Sequence, residues 1–156
     1  MFVIVAGLLL CIFEGAHRSG AATMPITMET SWSGVWSNVT ERTEWVIMDA
    51  ATWEQVWKQI HPEVPPPPVP LVDFSRSMVI GVAMGERPSG GFAVRITEIG
   101  STGNELVVHV EETTPPEDAM TIAALTYPYH FVAVVQSSYP VRFEWGAAVA
   151  APASFQ

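Results

Sequence analysis

The run M-V-I-G-V-A-M at Met78–Met84, followed by G-E-R-P-S-G-G at Gly85–Gly91 and F-A-V-R-I at Phe92–Ile96, decides the fold class. Its first seven residues are continuously apolar, the pattern of a strand buried on both faces. Phe92, Val94 and Ile96 then alternate with Ala93, Arg95 and Thr97, which predicts a strand with one buried face. Beyond the turn residues Gly100–Asn104 (GSTGN), Leu106, Val108 and Val110 alternate with Val107, His109 and Glu111. The two half-buried strands are expected to pair as an antiparallel hairpin. Pro115-Pro116-Glu117-Asp118 opens a loop, and Met120–Leu125 (MTIAAL) is apolar but too short to assign to helix or strand. Phe131–Gln136 and Val141–Trp145 are the last predicted strands, and residues 146–156, Ala-rich and aperiodic, are expected to form a disordered tail.

Upstream, Thr52 followed three residues later by Gln55 reads as a capping box. Trp53, Val56, Trp57 and Ile60 follow at i, i+3, i+4 and i+7, one face of a helix that Pro62 ends. Six prolines between Pro62 and Pro70 (PEVPPPPVP) predict an extended, stiff connector outside the core, since proline fixes φ and donates no backbone hydrogen bond. Such a run is also a ligand type for SH3-like domains, but those partners are mainly intracellular, which favours the spacer. Thr23–Ser33 reads as polar and irregular, so residues 23–43 are expected to be an N-terminal extension with a first strand near Gly34–Thr40. A second strand is expected at Glu44–Asp49, opening a domain over residues 44–145. The predicted class is α+β and β-dominant: an antiparallel sheet or small barrel of about seven strands with one amphipathic helix.

The 156 residues, 49% hydrophobic and 15% charged, suit one domain. Seven basic against sixteen acidic residues, a net charge of -9, leave no Lys/Arg cluster, which argues against nucleic acid as a partner. The single cysteine excludes a disulfide framework within the chain and thiolate metal clusters. That cysteine lies in the apolar run Phe2–Phe13 (FVIVAGLLLCIF), which is too short to span a bilayer core of roughly 30 Å as a helix. With the small residues Gly20, Ala21 and Ala22 behind it, the run reads as a signal peptide over residues 1–22, although no Lys or Arg precedes it. Export to a periplasmic or extracellular compartment is expected. Lipid anchoring through Cys11 is the alternative, opposed by bulky Leu10 where a lipoprotein signal takes Gly, Ala or Ser. Contact with a membrane is expected only through that leader or Cys11.

The residues do not suggest catalysis. His61, His109 and His130 show no close ligand pair, so no metal site is expected. Ser89 in R-P-S-G-G lacks the glycine two residues earlier that a nucleophile elbow requires. Glu111-Glu112 and Glu117-Asp118, flanked by Thr113, Thr114, Pro115 and Pro116, read as a solvated acidic loop. Gly85–Gly91 has no lysine after its last glycine and follows no βαβ pattern, so neither a phosphate loop nor any other cofactor site is expected. An enzymatic reading would need His130 to meet Glu111 or Asp118 in a cleft.

The Gly85–Phe92 loop is richer than a turn needs. Adjacent glycines after a proline permit close backbone approach, and Arg87 and Phe92 set a cation and an aromatic at its ends. A second cluster, Thr126-Tyr127-Pro128-Tyr129-His130, adds two tyrosines, which with arginine are favoured interface anchors. The expected partner-binding residues are therefore Arg87, Pro88, Gly90, Gly91, Phe92, Tyr127, Tyr129 and His130.

An ordered series of motifs resembles the PrcB C-terminal domain family: E-x-V-W-K-Q-I on the helix, V-D-F-S-R-S-M-V-I-G-V-A-M-G at Val72–Gly85, G-E-R-P-S-G-G-F-A-V-R-I at Gly85–Ile96, L-V-V-H-V-E-E-T-T-P at Leu106–Pro115, and T-Y-P-Y-H-F-V at Thr126–Val132. The resemblance runs roughly from Glu44 to Phe143. It implies a non-enzymatic accessory domain of an exported protease complex, one that supports assembly and stability, with an exported protease or another envelope protein as partner. It transfers no catalytic residues. R-P-S-G-G-F at Arg87–Phe92 is also faintly similar to the N-P-T-T-G-F loop of chagasin-type cysteine-protease inhibitors, so a secreted inhibitor using Gly85–Phe92 is the alternative.

Overall fold

The computed structural model describes residues 23–151. The leader reading, with Cys11, and the tail residues 152–156 lie outside the described residues. In chain order the elements are β1 (Met24–Pro25), β2 (Met28–Gly34), β3 (Thr43–Ile47), α1 (Ala50–Ile60), β4 (Ser77–Ala83), β5 (Ala93–Ser101), β6 (Leu106–Thr114), β7 (Tyr129–Val135), β8 (Val141–Trp145) and β9 (Val149–Ala150). They form two sheets, ordered β2-β7-β4-β3 and β1-β5-β6-β8, with β9 also on β6. The fold is β-dominant with one helix, and the sheets do not close into a barrel.

β4 is the hinge of the architecture because both of its faces are buried. Met78, Ile80 and Val82 face the second sheet, packing with Val94, Ile96, Ile99, Leu106, Val108 and Val110. Val79 and Ala83 face the helix layer, where Trp53, Val56, Trp57 and Ile60 meet Ile47 and Phe131. The period of two along a strand makes this division, so a run apolar at both parities ends between two layers. At Gly81 the Phe131 ring occupies the space that a Cβ would take. Gly81 and Phe131 are register partners across β4 and β7, so the glycine makes room for the ring.

The hairpin read from the alternation is β5 and β6, antiparallel, with a register shift between Ile96 and Glu98 and Gly103 in the turn at φ +91°. β8 joins β6 in parallel, as β9 does, while the other strand pairs are antiparallel as expected. The chain leaves β6, crosses the other sheet as β7 and comes back to enter beside β6 from the same end.

The start and end of the described chain also differ from expectation. Residues 28–33, read as irregular, form β2 together with Gly34, and the strand pairs with β7 from Met28↔Val134 to Gly34↔Tyr129. Of the strand expected at Gly34–Thr40 only Gly34 is in a strand, as the end of β2; residues 35–40 are coil in which Val39 and Ser37 are buried. The cause lies in pairing: Trp32 alone of the central β2 residues is apolar, and its packing on Trp53, with ring centroids 5.3 Å apart, outweighs a weak local pattern. The expectation of a disordered tail from Gly146 is corrected over Val149–Ala150, which pair with Thr113 and Thr114 because β6 offers free backbone groups beyond β8.

The helix is capped three residues earlier than the capping box suggests. Asp49 is the N-cap and its Oδ1 accepts from the Thr52 N–H at 2.8 Å, while Thr52 Oγ1 donates to Asp49 Oδ2. Asp is a stronger cap than Thr and takes the role when the spacing permits. The amphipathic face is as read, with Trp53, Val56, Trp57 and Ile60 buried. The proline connector is closer to the core than expected. Trp57 Nε1 donates to the Pro67 carbonyl at 3.1 Å and Trp53 Nε1 to the Pro70 carbonyl at 3.0 Å. A buried indole N–H needs an acceptor, and the proline carbonyls supply it without competing N–H groups.

Candidate functional site

Three segments meet at the ends of β4 and β7: residues 35–42, the loop 84–92 and residues 115–128. Gly85, at φ +80°, lets the chain pass so close to Thr40 and Glu41 that a Cβ would sit 2.8 Å from the Thr40 carbonyl oxygen. Glu86 N–H donates to that same oxygen at 3.0 Å. Arg87 and Thr126 exchange two backbone hydrogen bonds of 2.8 and 3.0 Å, and the Gly90 N–H donates to the Ile122 carbonyl at 3.1 Å. Thr126 Oγ1 donates to the Ser89 carbonyl at 2.8 Å, and Tyr127 N–H to the Val35 carbonyl at 2.8 Å. The two clusters singled out in the sequence are therefore one hydrogen-bonded platform.

Their side chains divide in a way the sequence does not show. Pro88 and Gly91 are exposed, whereas Arg87, Phe92 and Tyr127 are half-buried and Gly90 is buried. Arg87 directs its guanidinium at Glu112, 3.8 Å away, a carboxylate that also takes Arg42 at 2.6 Å. Phe92 packs on the inter-sheet core. Tyr127 Oη donates to Glu86 at 3.0 Å, and that bond holds the phenol pKa above its ordinary value. Tyr129 and His130 are buried and stand apart from the exposed part of the platform, and His130 lines a separate cleft. Both belong to β7, which is paired on both edges, with β2 and β4. Tyr129 lies on the helix side with its Oη 3.4 Å from His61 Nε2, and burial raises its pKa and lowers that of His61.

The exposed apolar groups on the platform come instead from the run that had no assignment. Met120 is fully exposed, Ile122 and Leu125 are 57% and 50% exposed, and Trp36, next to the Val35 carbonyl that Tyr127 holds, is 55% exposed. One signal was available: an apolar run between Pro116-Glu117-Asp118 and Thr126 that fits neither a strand nor a helix period has no core face to bury.

His130 and Glu111 do line one cleft, of about 420 Å³, together with Ser31, Ser33 and Arg95; Asp118 is not among its lining residues. His130 Nδ1 accepts the Ile96 backbone N–H at 3.0 Å. Burial, and then the nearby Arg95 charge, push the imidazole pKa down to about 4. The ring is thus neutral, with its proton on Nε2, and has no free acceptor nitrogen with which to act as a base. Among the described residues no group of three or more His, Cys, Asp or Glu converges to hold a metal ion, and no helix is long and apolar enough to cross a membrane.

The family model PrcB C-terminal matches residues 78–135, the span from β4 through β7 that contains the platform. The match is narrower than the Glu44–Phe143 resemblance and leaves α1 and β8 outside it. No curated protein and no solved structure matches the chain.

Proposed function

From the match of residues 78–135 to the PrcB C-terminal family, we propose that the chain is a non-enzymatic accessory subunit of an exported protease complex. The observation that carries the binding part of this reading is the exposed apolar set Met120, Ile122 and Leu125, held on a loop pair by the Arg87–Thr126 bridge. Apolar groups on a pre-ordered surface bind at low entropic cost. The leader reading of residues 1–22 supports export, with Cys11 as the alternative lipid attachment. The partner surface is then centred on Met120, Ile122, Leu125 and Pro88, with Arg87 and Phe92 holding the loop from beneath.

The test is reconstitution with an exported protease of the same organism. A photo-crosslinker at position 120 is expected to capture that protease. Met120→Ser with Ile122→Ser is expected to abolish capture without altering the thermal midpoint, since both side chains are exposed. Titrating the protease distinguishes the two roles: preserved or raised peptidase activity fits an accessory subunit, whereas a stoichiometric fall means that Gly85–Phe92 acts as an inhibitor loop. Absence of capture in both backgrounds overturns the reading.

A further inference from the structure

β5 has an open edge. On the side away from β6, β1 covers only Gly100 and Ser101, and no strand among the described residues pairs with β5 over residues 93–98 on that side. The Ile96 N–H on this edge goes to His130, and strand alternation turns the Val94 N–H and carbonyl the same way. β2, the outer strand of the other sheet, runs alongside. Between them lie two adjoining clefts of about 420 and 440 Å³ that share Ser31, Arg95, Thr97 and His130.

Two donors in this groove, on His130 and Arg95, lack a carboxylate or other acceptor within the protein. His130 is only 8% exposed, its Nδ1 is occupied and its Nε2–H has no protein partner. Among the described residues no buried side-chain nitrogen or oxygen is left unsatisfied, so Nε2–H opens to the cleft. Arg42, Lys58, Arg76, Arg87 and Arg142 each lie within 4.0 Å of a carboxylate; among the described lysines and arginines Arg95 alone has no such partner. In a chain of net charge -9 an unmatched guanidinium beside a buried donor favours an anionic ligand. The open edge adds a requirement for extended backbone.

We propose that the groove between β2 and β5 binds an extended polypeptide segment with acidic side chains, which adds to the β5 edge at Val94–Ile96 and sets a carboxylate against Arg95. The main chain takes the Val94 groups, and the His130 Nε2–H donates to the same carboxylate or to the neighbouring peptide carbonyl. Two carboxylates oppose the ligand by like-charge repulsion: Glu111, opposite Arg95 in the hairpin register and facing the first cleft, and Glu29, which lines the second and accepts from Ser77 Oγ at 3.0 Å. This proposal is independent of the protease-complex reading, since it uses a different surface.

The test uses the full chain, ¹⁵N-labelled, and an acetylated, amidated octapeptide of alternating threonine and glutamate. Amide shifts are expected at Val94, Arg95, Thr97, Ser31 and Ser33. Arg95→Ala is expected to weaken binding about tenfold or more, as loss of a charge-assisted hydrogen bond implies. Glu111→Gln is expected to tighten it, a sign that a merely structural role would not produce. Both side chains are exposed, so both variants fold. Equal binding of the glutamine or lysine version of the peptide, binding that needs a free C-terminal carboxylate, or no shift at millimolar peptide each overturns the proposal.

Discussion

The two faces of β4 bury different chemistries. On one side the inter-sheet layer is aliphatic, built from Met, Ile, Val and Leu contributed by β4, β5, β6 and β7. On the other, four tryptophans, Phe131, Tyr129 and His61 form a chain of ring contacts with centroids 4.1 to 5.9 Å apart. The aliphatic layer depends on volume and strand period. The aromatic layer depends on individual rings, on indole N–H groups that need acceptors, and on one glycine that yields its space. The second should therefore tolerate substitution less well.

The sharpest test is Trp53→Ala, which removes a fully buried ring touching Trp32, Trp57 and Phe131 and a hydrogen bond to Pro70. Chemical denaturation should show a loss of about 3–5 kcal/mol. Gly81→Ala comes next: the added methyl overlaps the fully buried Phe131 ring, and a cost of about 1–3 kcal/mol is expected, with recovery in the double variant Gly81→Ala, Phe131→Leu. By contrast Ile80→Leu, in the aliphatic layer, should cost less than about 1.5 kcal/mol. Equal costs at Gly81 and Ile80 would erase the distinction between the layers.

Acid should act at the layer boundary. His130 has a folded-state pKa lowered from 6.5 to about 4, so the folded form prefers the neutral ring. Stability is full above pH 6.5 and falls as the pH drops from there toward about 4, because the unfolded chain binds the proton more readily. His130→Asn places an amide oxygen where Nδ1 accepts from Ile96, and melting curves across that range should be flatter than in the parent chain. The smallest effect is expected at Asp49→Ala. It removes an exposed cap whose carboxyl pKa is held down first by the Thr52 backbone N–H. That stabilisation is present above the ordinary carboxyl pKa and is lost as the pH falls through the lowered one, so the variant and parent midpoints should converge in strong acid.

What the sequence made legible follows the same division. The doubly buried strand, the hairpin and the helix face each announce themselves through a local period of 2 or 3.6 residues. β2 escapes because its partner is a hundred residues away and its one large apolar residue, Trp32, gains its value from a ring on the helix. The Gly85–Phe92 loop and the Tyr127 cluster were legible as special, but their roles were not. Whether Arg87 faces solvent or Glu112 depends on where the hairpin delivers that carboxylate, which no spacing encodes. Arg95 looked like an ordinary solvent-face residue of an alternating strand. That no carboxylate lies within 4.0 Å of its guanidinium emerges only when the other cations are seen with their partners.

The strap of prolines across α1 has a consequence for molecular competition. Pro67 and Pro70 are three residues apart, one turn of a polyproline helix, so their carbonyls point the same way toward two tryptophans four residues apart on α1. Aromatic donors reading successive carbonyls of a PxxP segment is the arrangement by which SH3-type grooves hold their ligands. Here ligand and groove share one chain, at an effective concentration on the order of millimolar for a short tether. An outside proline-binding domain could claim this segment only by peeling it from its own tryptophans, so the motif is already spent within the fold.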